Sequence, residues 1–204
     1  MGTVQAQAIT SLDGYIAKQD DSIGRLFDWL QNGDVAVSTP AGDFTVHLNQ
    51  ASVEHWKRWT ASLGAVVCGR QLFDHTNGWN GRHTLDAPVV VVTHEVPTDW
   101  VEAHPAAPFH FVTAGVEAAV EIAQRFAGDK TVYVTGGTIA RQCLDLGLLD
   151  EVAVDLVPVV MGAGNRPFFG ELAGEDVMLG NPTTCIVGDR VTHLVFPVQN
   201  DAQA

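Results

Sequence analysis

The clearest indication of the fold is "VYVTGGTIARQCLDLGLLDEV", residues 132–152. A run of β-branched and aromatic residues predicts a strand, which ends in Gly136-Gly137 directly before the helical pattern "TIARQCLDLG". Two interpretations of this junction are open. The backbone N–H groups and the helix dipole can meet an anion, commonly a phosphate, or the glycines can form a tight turn without a ligand.

Strand-like and helical runs alternate on both sides of this stretch. The predicted strands are "TVQAQAIT" (3–10), "AVVCGR" (65–70), "APVVVVTH" (87–94), "FHFVT" (109–113), "TVYVTG" (131–136) and "EVAVDLVPVVM" (151–161). The predicted helices are "ASVEHWKRWTASLG" (51–64), "GVEAAVEIAQRFAG" (115–128) and "GTIARQCLDLGLL" (137–149). Strands that are apolar throughout and alternate with helices predict an α/β fold, with a predominantly parallel central sheet flanked by helices on both faces.

The last part of the chain departs from this alternation. In "TTCIVGDRVTHLVFPV" (183–198), two apolar runs flank Gly188-Asp189, which is a signal for a two-residue hairpin turn. We therefore expect a C-terminal antiparallel hairpin.

The longest irregular stretch covers residues 18–50, and long loops in compact domains are usually lids or binding loops. Its apolar side chains either pack down or line a pocket for a flat ligand. We expect packing for Leu30 and leave both possibilities open for Trp29 and Phe44.

Length and composition narrow the class of protein. A chain of 204 residues, with 46% hydrophobic and 17% charged residues, suits one globular domain spanning 1–204. Its net charge of −13 disfavours nucleic acid and anionic membranes as partners. The N-terminus lacks the pattern of a signal peptide, so we expect a cytoplasmic protein. Three dispersed cysteines and eight histidines without ligand spacing predict neither disulfides nor a metal site.

Three predicted strand ends are candidates for a single site: Gly69-Arg70, Thr93-His94 and Gly136-Gly137. In open α/β sheets, ligands bind outside the carboxyl ends of the strands. Each segment also has an ordinary structural explanation, but their coincidence favours a phosphate-rich ligand. GxGxxG near the first strand and GxxxxGK[ST] are both missing, which disfavours a Rossmann domain and a P-loop enzyme.

Five motifs in order, "TSLDGYIA", "GRQLF", "VVVTH", "VYVTGGTIARQCLDLGLLDEV" and "PVVMGAGNRPFF", resemble the dihydrofolate reductase-like superfamily. The nearest branch is the reductase domain of riboflavin biosynthesis proteins and its stand-alone relatives. The resemblance covers nearly the whole chain. It implies a dihydrofolate reductase-like fold, NADPH as cofactor, a small-molecule substrate and a possible homodimer.

The resemblance also implies which residues surround NADPH. By position these are Ile16 and Ala17 beside the nicotinamide ring, Gly69 and Arg70 at the phosphates, Thr93 and His94 beside the adenosine phosphate, and Gly136, Gly137, Thr138 and Ile139 at the diphosphate. Arg70 is expected near the 2′-phosphate, and the glycine pair is often joined by a cis peptide in the family. Leu72 departs from the family pattern, which often has Thr or Ser there.

Two carboxylates are candidates for the catalytic acid. Aligned with the folate-reducing members, Val53 occupies the acidic position and Glu54 lies one residue along, a rotation of about 100° on a helix. Two interpretations of Glu54 are open: it is the catalytic acid, or it is a solvated residue in the first turn of a helix. Glu54 is our first choice for the acid, because the 18–50 loop should bring the substrate to the face of the helix that carries it. Asp155 is the second, since an acid in an apolar strand needs a partner or a role. No histidine is assigned to the proton step.

These features predict an NADPH-dependent reductase. Hydride would pass to a C=N or C=O bond of a pterin- or folate-like flat heterocycle or of a ribosylaminopyrimidine. Only Lys18 and Arg25 offer cations in the long loop, which favours a substrate without phosphate. The alternative is an NADPH-binding protein without reductase activity, acting as a sensor or in assembly.

Overall fold

A computed structural model describes residues 2–199. Its strands are β1 (Val4–Ser11), β2 (Tyr15–Ala17), β3 (Val35–Ser38), β4 (Thr45–Leu48), β5 (Leu63–Gly69), β6 (Val89–Val92), β7 (Phe109–Val112), β8 (Thr131–Thr135), β9 (Glu151–Val157), β10 (Arg166–Pro167), β11 (Thr184–Val187) and β12 (Thr192–Pro197). Its α-helices are α1 (Gln50–Ser62), α2 (Arg70–His75), α3 (Thr98–Ala103), α4 (Val116–Ala127) and α5 (Thr138–Asp145).

Eight strands form the central sheet in the order β11-β12-β9-β1-β8-β5-β6-β7. Every pairing from β9 to β7 is parallel, whereas β12 runs antiparallel to β9 and β11 antiparallel to β12. The α/β class, the predominantly parallel sheet and the closing antiparallel pair are therefore confirmed. β1 lies at the centre, between β8 and β9.

Apolar stripes on the helices explain how the sheet is covered. The buried residues of α4 are Val116, Ala119, Val120, Ala123 and Ala127, whose spacing of three and four positions makes one helical face. That face and the buried side of α5 pack on one side of the sheet. On the other side, α1 and the 18–50 segment enclose a second apolar cluster.

The long 18–50 segment contains more regular structure than predicted. A 3-10 turn spans Asp28–Leu30, and β3 and β4 form an antiparallel ribbon. Leu30 is buried, as expected, and Trp29 is buried with it, whereas the Phe44 side chain is 45% exposed. The interior therefore takes up Trp29, and Phe44 lies at the surface.

Two boundaries differ from the sequence expectation. The connection between β11 and β12 has four residues, 188–191, instead of two, because the Gly188 N–H donates to the Val191 carbonyl at 2.8 Å and Arg190 takes a positive φ of 56°. β9 ends at Val157, because Pro158 has no N–H with which to continue the ladder.

His83 makes stability depend on pH. It is buried, its ring lies 4.5 Å from that of Trp79, and its Nδ1 accepts the Leu85 N–H. Burial lowers the pKa of His83 to about 4. This contribution to stability is complete above the unfolded-state pKa of about 6.5 and is lost as the pH falls toward 4.

We expect the free energy of unfolding to fall by about 2 kcal/mol more in the wild type than in His83→Gln when the pH drops from about 7.5 to 5. Urea denaturation at both pH values measures this difference. If the free energy of unfolding falls by the same amount in both proteins between these pH values, His83 is not the cause of the pH dependence.

Candidate active site

The glycine pair makes a close turn after β8. A Cβ on Gly136 would lie 3.1 Å from each of three side-chain atoms, in Ala8, Ile16 and Phe168, so only glycine fits without displacement. Gly137 has φ 93°, and its N–H donates to the Phe168 carbonyl at 2.6 Å. The peptide between the glycines is trans, contrary to the family expectation; the positive φ of Gly137 makes the turn.

The start of α5 follows this turn directly. Thr138 is exposed, and no side chain of the described residues caps the helix, so its first-turn N–H groups have no side-chain acceptor in that part of the chain. A Cβ on Gly69 would lie 3.2 Å from Cγ1 of Ile139, which places the end of β5 against the start of α5. Backbone N–H groups at such a position can bind an anion.

The predicted nicotinamide segment lies at the same place. Cδ1 of Ile16 is 3.1 Å from the Cβ position of Gly136 and 3.8 Å from that of Gly137. β2 pairs with β10, so that Ala17 is opposite Arg166. The structure thus brings Ile16 and the glycine pair together.

Arg70 and Thr93 also meet, at the neighbouring strand ends. Nη1 of Arg70 donates to the Glu95 carbonyl at 2.9 Å and, at 3.4 Å, to Oγ1 of Thr93, while Nε pairs with Asp74 at 2.7 Å. His94 is exposed beside them. A cavity of about 410 Å³ adjoins this cluster, and its lining includes Arg70 together with three acids, Asp74, Glu95 and Asp99.

The two candidate acids lie in different environments. Glu54 is exposed on α1, where its carboxylate accepts a hydrogen bond from Gln50 at 3.3 Å. Asp155 is 7% exposed, and its Oδ2 accepts from Nε2 of Gln7 at 2.7 Å. Its Oδ1 lies 2.5 Å from Nδ1 of His193. Among the described residues, the two acids share no hydrogen-bond partner.

A buried polar network extends from Asp155. Nε2 of His193 lies 2.9 Å from Oγ of Ser52, in the first turn of α1. The ring of His55 stacks on that of His193 with centroids 4.3 Å apart, and burial lowers the pKa of His55. The edge of Trp29 contacts His193 at 5.3 Å between centroids. This network supplies hydrogen-bond partners to the buried side chains of Asp155, His193 and Ser52 within an apolar cluster.

His55, Asp155 and His193 offer three potential metal-ligand atoms within 4.8 Å of one another. However, Nδ1 of His193 and Oδ1 of Asp155 share a short hydrogen bond, and the two imidazole rings are stacked. Ligands of one ion instead converge on a point about 2 Å from each donor atom. We therefore interpret the cluster as a hydrogen-bonded network.

Four members of this network were not predicted from the sequence: Gln7, Ser52, His55 and His193. One signal was available: His193 is a polar residue inside the apolar run "VTHLVF". In the antiparallel pairing of β12 with β9, His193 lies directly opposite Asp155. The partner that a buried Asp155 requires is thus supplied by the adjacent strand.

A second cavity, of about 590 Å³, lies on the other face of the sheet. Its lining includes Val154 and Leu156, which flank Asp155 in β9 and therefore point away from it. Phe168, which packs against Gly136, also lines this cavity. The cavity adjoins the glycine turn and is separated from the Asp155 network by the sheet.

The sheet order, the glycine turn after β8 and the cleft at the carboxyl ends of the strands define a dihydrofolate reductase-like domain. The chain belongs to the family of the RibD C-terminal domain, whose family model matches residues 2–183. It thus carries a reductase-family domain. Within the described residues, no helix has both the length and the apolar character of a membrane span.

Individual relatives are distant. The uncharacterized protein YwjB of Bacillus subtilis (strain 168) is 24% identical over 165 residues, which are 81% of each chain. A putative riboflavin biosynthesis protein from Shewanella sp. PV-4 shares the fold with a TM-score of 0.66 at 22% identity, over 97% of this chain and 99% of that one. Dihydrofolate reductase from Enterococcus faecalis, complexed with NADP(H), gives a TM-score of 0.57 at 14% identity, over 98% of both chains.

Proposed function

We propose that the chain is an NADPH-dependent reductase that transfers a hydride to a flat, pterin-like heterocycle or to a ribosylaminopyrimidine. The observation that carries this proposal is the glycine turn, where Ile16, the glycine pair and the uncapped start of α5 meet at the carboxyl ends of the central strands. Family membership supports the reductase class.

The residues of this cleft fit the cofactor. Gly137 has no side chain, and the nearest atom to its Cβ position is Cδ1 of Ile16 at 3.8 Å, so a diphosphate can approach the backbone there and the first turn of α5. Ile16 and Ala17 would bind the nicotinamide end, and Arg70 with Thr93 and His94 the adenosine end. When bound, NADPH supplies the hydride.

For the proton, burial and fixed hydrogen bonds, not proximity to the cavity at the glycine turn, favour Asp155 over Glu54. Asp155 is buried and fixed from two sides by Gln7 and His193, whereas Glu54 is exposed and bonded to Gln50. A carboxyl group that is held in a fixed position can deliver a proton to a substrate nitrogen. We propose Asp155 as the acid, with His193 as its positioning partner.

A substrate panel tests the reductase proposal. NADPH consumption is followed at 340 nm with pterins, folates and ribosylaminopyrimidines, each added to the full chain. Turnover with one class identifies the substrate class. Tight NADPH binding without turnover of any compound would instead favour a binding protein.

Arg70 is expected to hold the 2′-phosphate of NADPH. Arg70→Gln should weaken NADPH about tenfold to a hundredfold, because a charge-assisted contact of roughly 1.5–3 kcal/mol is lost. Fluorescence titration measures the dissociation constant. Arg82→Gln is the matched control, since Arg82 forms the same i,i+4 pair with Asp86 outside the proposed cleft. Unchanged affinity in Arg70→Gln would show that this placement of the cofactor is wrong.

A further inference from the structure

An ion pair joins the loop after β2 to β10, two segments next to residues that we assign to the cofactor. Asp21, in the loop after β2, accepts hydrogen bonds from Nε of Arg166 at 2.8 Å and from Nη2 at 3.3 Å. The same carboxylate accepts from Nε2 of Gln71 at 2.8 Å. These three residues are far apart in sequence and come from three separate segments, so the fold alone brings them together.

The bridge lies among the segments that we assign to the cofactor. Arg166 is opposite Ala17 in the β2–β10 pair. Gln71 directly follows Arg70 in α2, and Gly69, just before α2, lies against Ile139 at the start of α5. Asp21 therefore joins the nicotinamide side of the cleft to the side where the diphosphate is expected.

The chemistry of the bridge is that of an anion held by donors. A guanidinium and a primary amide are both donors for phosphate oxygens, and Arg binds such groups in bidentate fashion. The hydrogen bond from Arg166 is the main cause that lowers the pKa of Asp21, and Gln71 and the charge of nearby His75 act in the same direction. Asp21 is thus an anion at neutral pH.

The conformation of Asp21 is itself unusual. Its φ is 64°, a region that residues other than glycine seldom adopt, although Asp and Asn tolerate it better than most. Arg166 is 45% exposed at its side chain and Asp21 30%, so both are reachable from solvent. An exposed ion pair of this kind adds little to stability and can exchange partners.

We propose that Arg166 and Gln71 form a binding site for the diphosphate of the dinucleotide, and that Asp21 occupies this site as an internal anion until the cofactor displaces it. The inference rests on the proposed function for the identity of the ligand. It adds two residues that bind the ligand and one that competes with it. The net charge of −13 already repels anions. An anion must therefore form more than one contact with the site to displace the Asp21 carboxylate.

Opposite effects of two substitutions test this proposal. Arg166→Gln should weaken NADPH binding about tenfold or more, because a charge-assisted contact is lost. Asp21→Asn should strengthen it about threefold or more, because the competing anion is removed while Asn tolerates the positive φ. If the pair only braces the loop, both substitutions act in the same direction.

The matched controls are Arg25→Gln and Asp28→Asn. Arg25 and Asp28 form an exposed ion pair at 2.9 Å in the same long segment, so these variants make the same charge changes. Titration calorimetry with NADPH is run on all five proteins, and thermal melts confirm folding. Opposite shifts confined to the Asp21 and Arg166 variants support the proposal. Shifts of one sign, no shifts, or equal shifts in the controls overturn it.

Inorganic pyrophosphate separates this inference from the proposed function. Pyrophosphate binding that Asp21→Asn strengthens and Arg166→Gln removes supports the anion site even if NADPH does not bind, in which case the proposed function fails. NADPH binding that ignores both substitutions leaves the function standing and rejects the site. Arg166-dependent binding of ribose 5-phosphate to the NADPH complex would reject the diphosphate and assign Arg166 to the substrate.

Discussion

Gly137→Val is expected to abolish NADPH binding, with a loss of affinity of more than about a hundredfold. Gly137 has φ 93°, which a β-branched residue adopts only with strain. A Cβ at this position would meet only Ile16, at 3.8 Å, so the core packing does not forbid the side chain. The added methyl groups would lie where the diphosphate must approach the backbone, and that contact is lost entirely.

Two controls separate strain from obstruction in this experiment. Gly128→Val places the same side chain at a glycine with φ 61°, at the end of α4 and outside the proposed cleft. Gly137→Ala keeps most of the backbone strain but lacks the two γ-methyl groups of valine. Circular dichroism monitors folding, and calorimetry measures NADPH binding. A folded Gly137→Val protein that binds NADPH normally would reject the phosphate role of the turn.

Asp155→Asn should lower kcat by about two to four orders of magnitude and remove the pH dependence of kcat. Asn cannot donate a carboxyl proton, but it retains an oxygen for Gln7, which limits the structural change. Glu54→Gln should leave both the rate and the profile intact, because Glu54 is exposed and, among residues 2–199, forms a side-chain hydrogen bond only with Gln50.

The measurement is kcat against pH at saturating NADPH, with the substrate that the panel identifies. NADPH affinity must be retained, which shows that the cofactor cleft is intact in each variant. If only Glu54→Gln loses the pH dependence of kcat, the catalytic acid is Glu54, on the exposed surface of α1. If both variants keep the wild-type rate and profile, the proton comes from solvent or from the substrate itself.

Local patterns in the sequence predicted the elements of this fold well. The run ending in Gly136-Gly137 marks both the end of β8 and the start of α5, because β-branched residues, glycine and helix formers follow one another without interruption. The antiparallel pair at the end of the chain was also predictable. Its loop length was not, because the hydrogen bond that closes the turn reaches Val191 and not the predicted turn residues.

The candidate site was predictable only where its parts lie at strand ends. Arg70 and Thr93 follow parallel strands, and parallel strands end at the same edge, so their meeting could be foreseen. His193 lies opposite Asp155 because of the antiparallel register of β12 and β9, although the two residues are 38 positions apart in the chain. Asp21 and Arg166 are 145 positions apart. No local periodicity encodes such contacts, since they depend on the register of whole elements.

The central position of β1 has a consequence for biosynthesis. Its neighbours are β8 and β9, with Val4 opposite Val132 and Gln5 opposite Glu151. A nascent chain that ends before Thr131 contains neither neighbour, so both edges of β1 stay unpaired until most of the chain has left the ribosome. Such distant parallel pairing forms slowly, and exposed strand edges promote aggregation. Truncated or stalled chains should therefore depend on chaperones, and the sheet should close only after synthesis has passed β9.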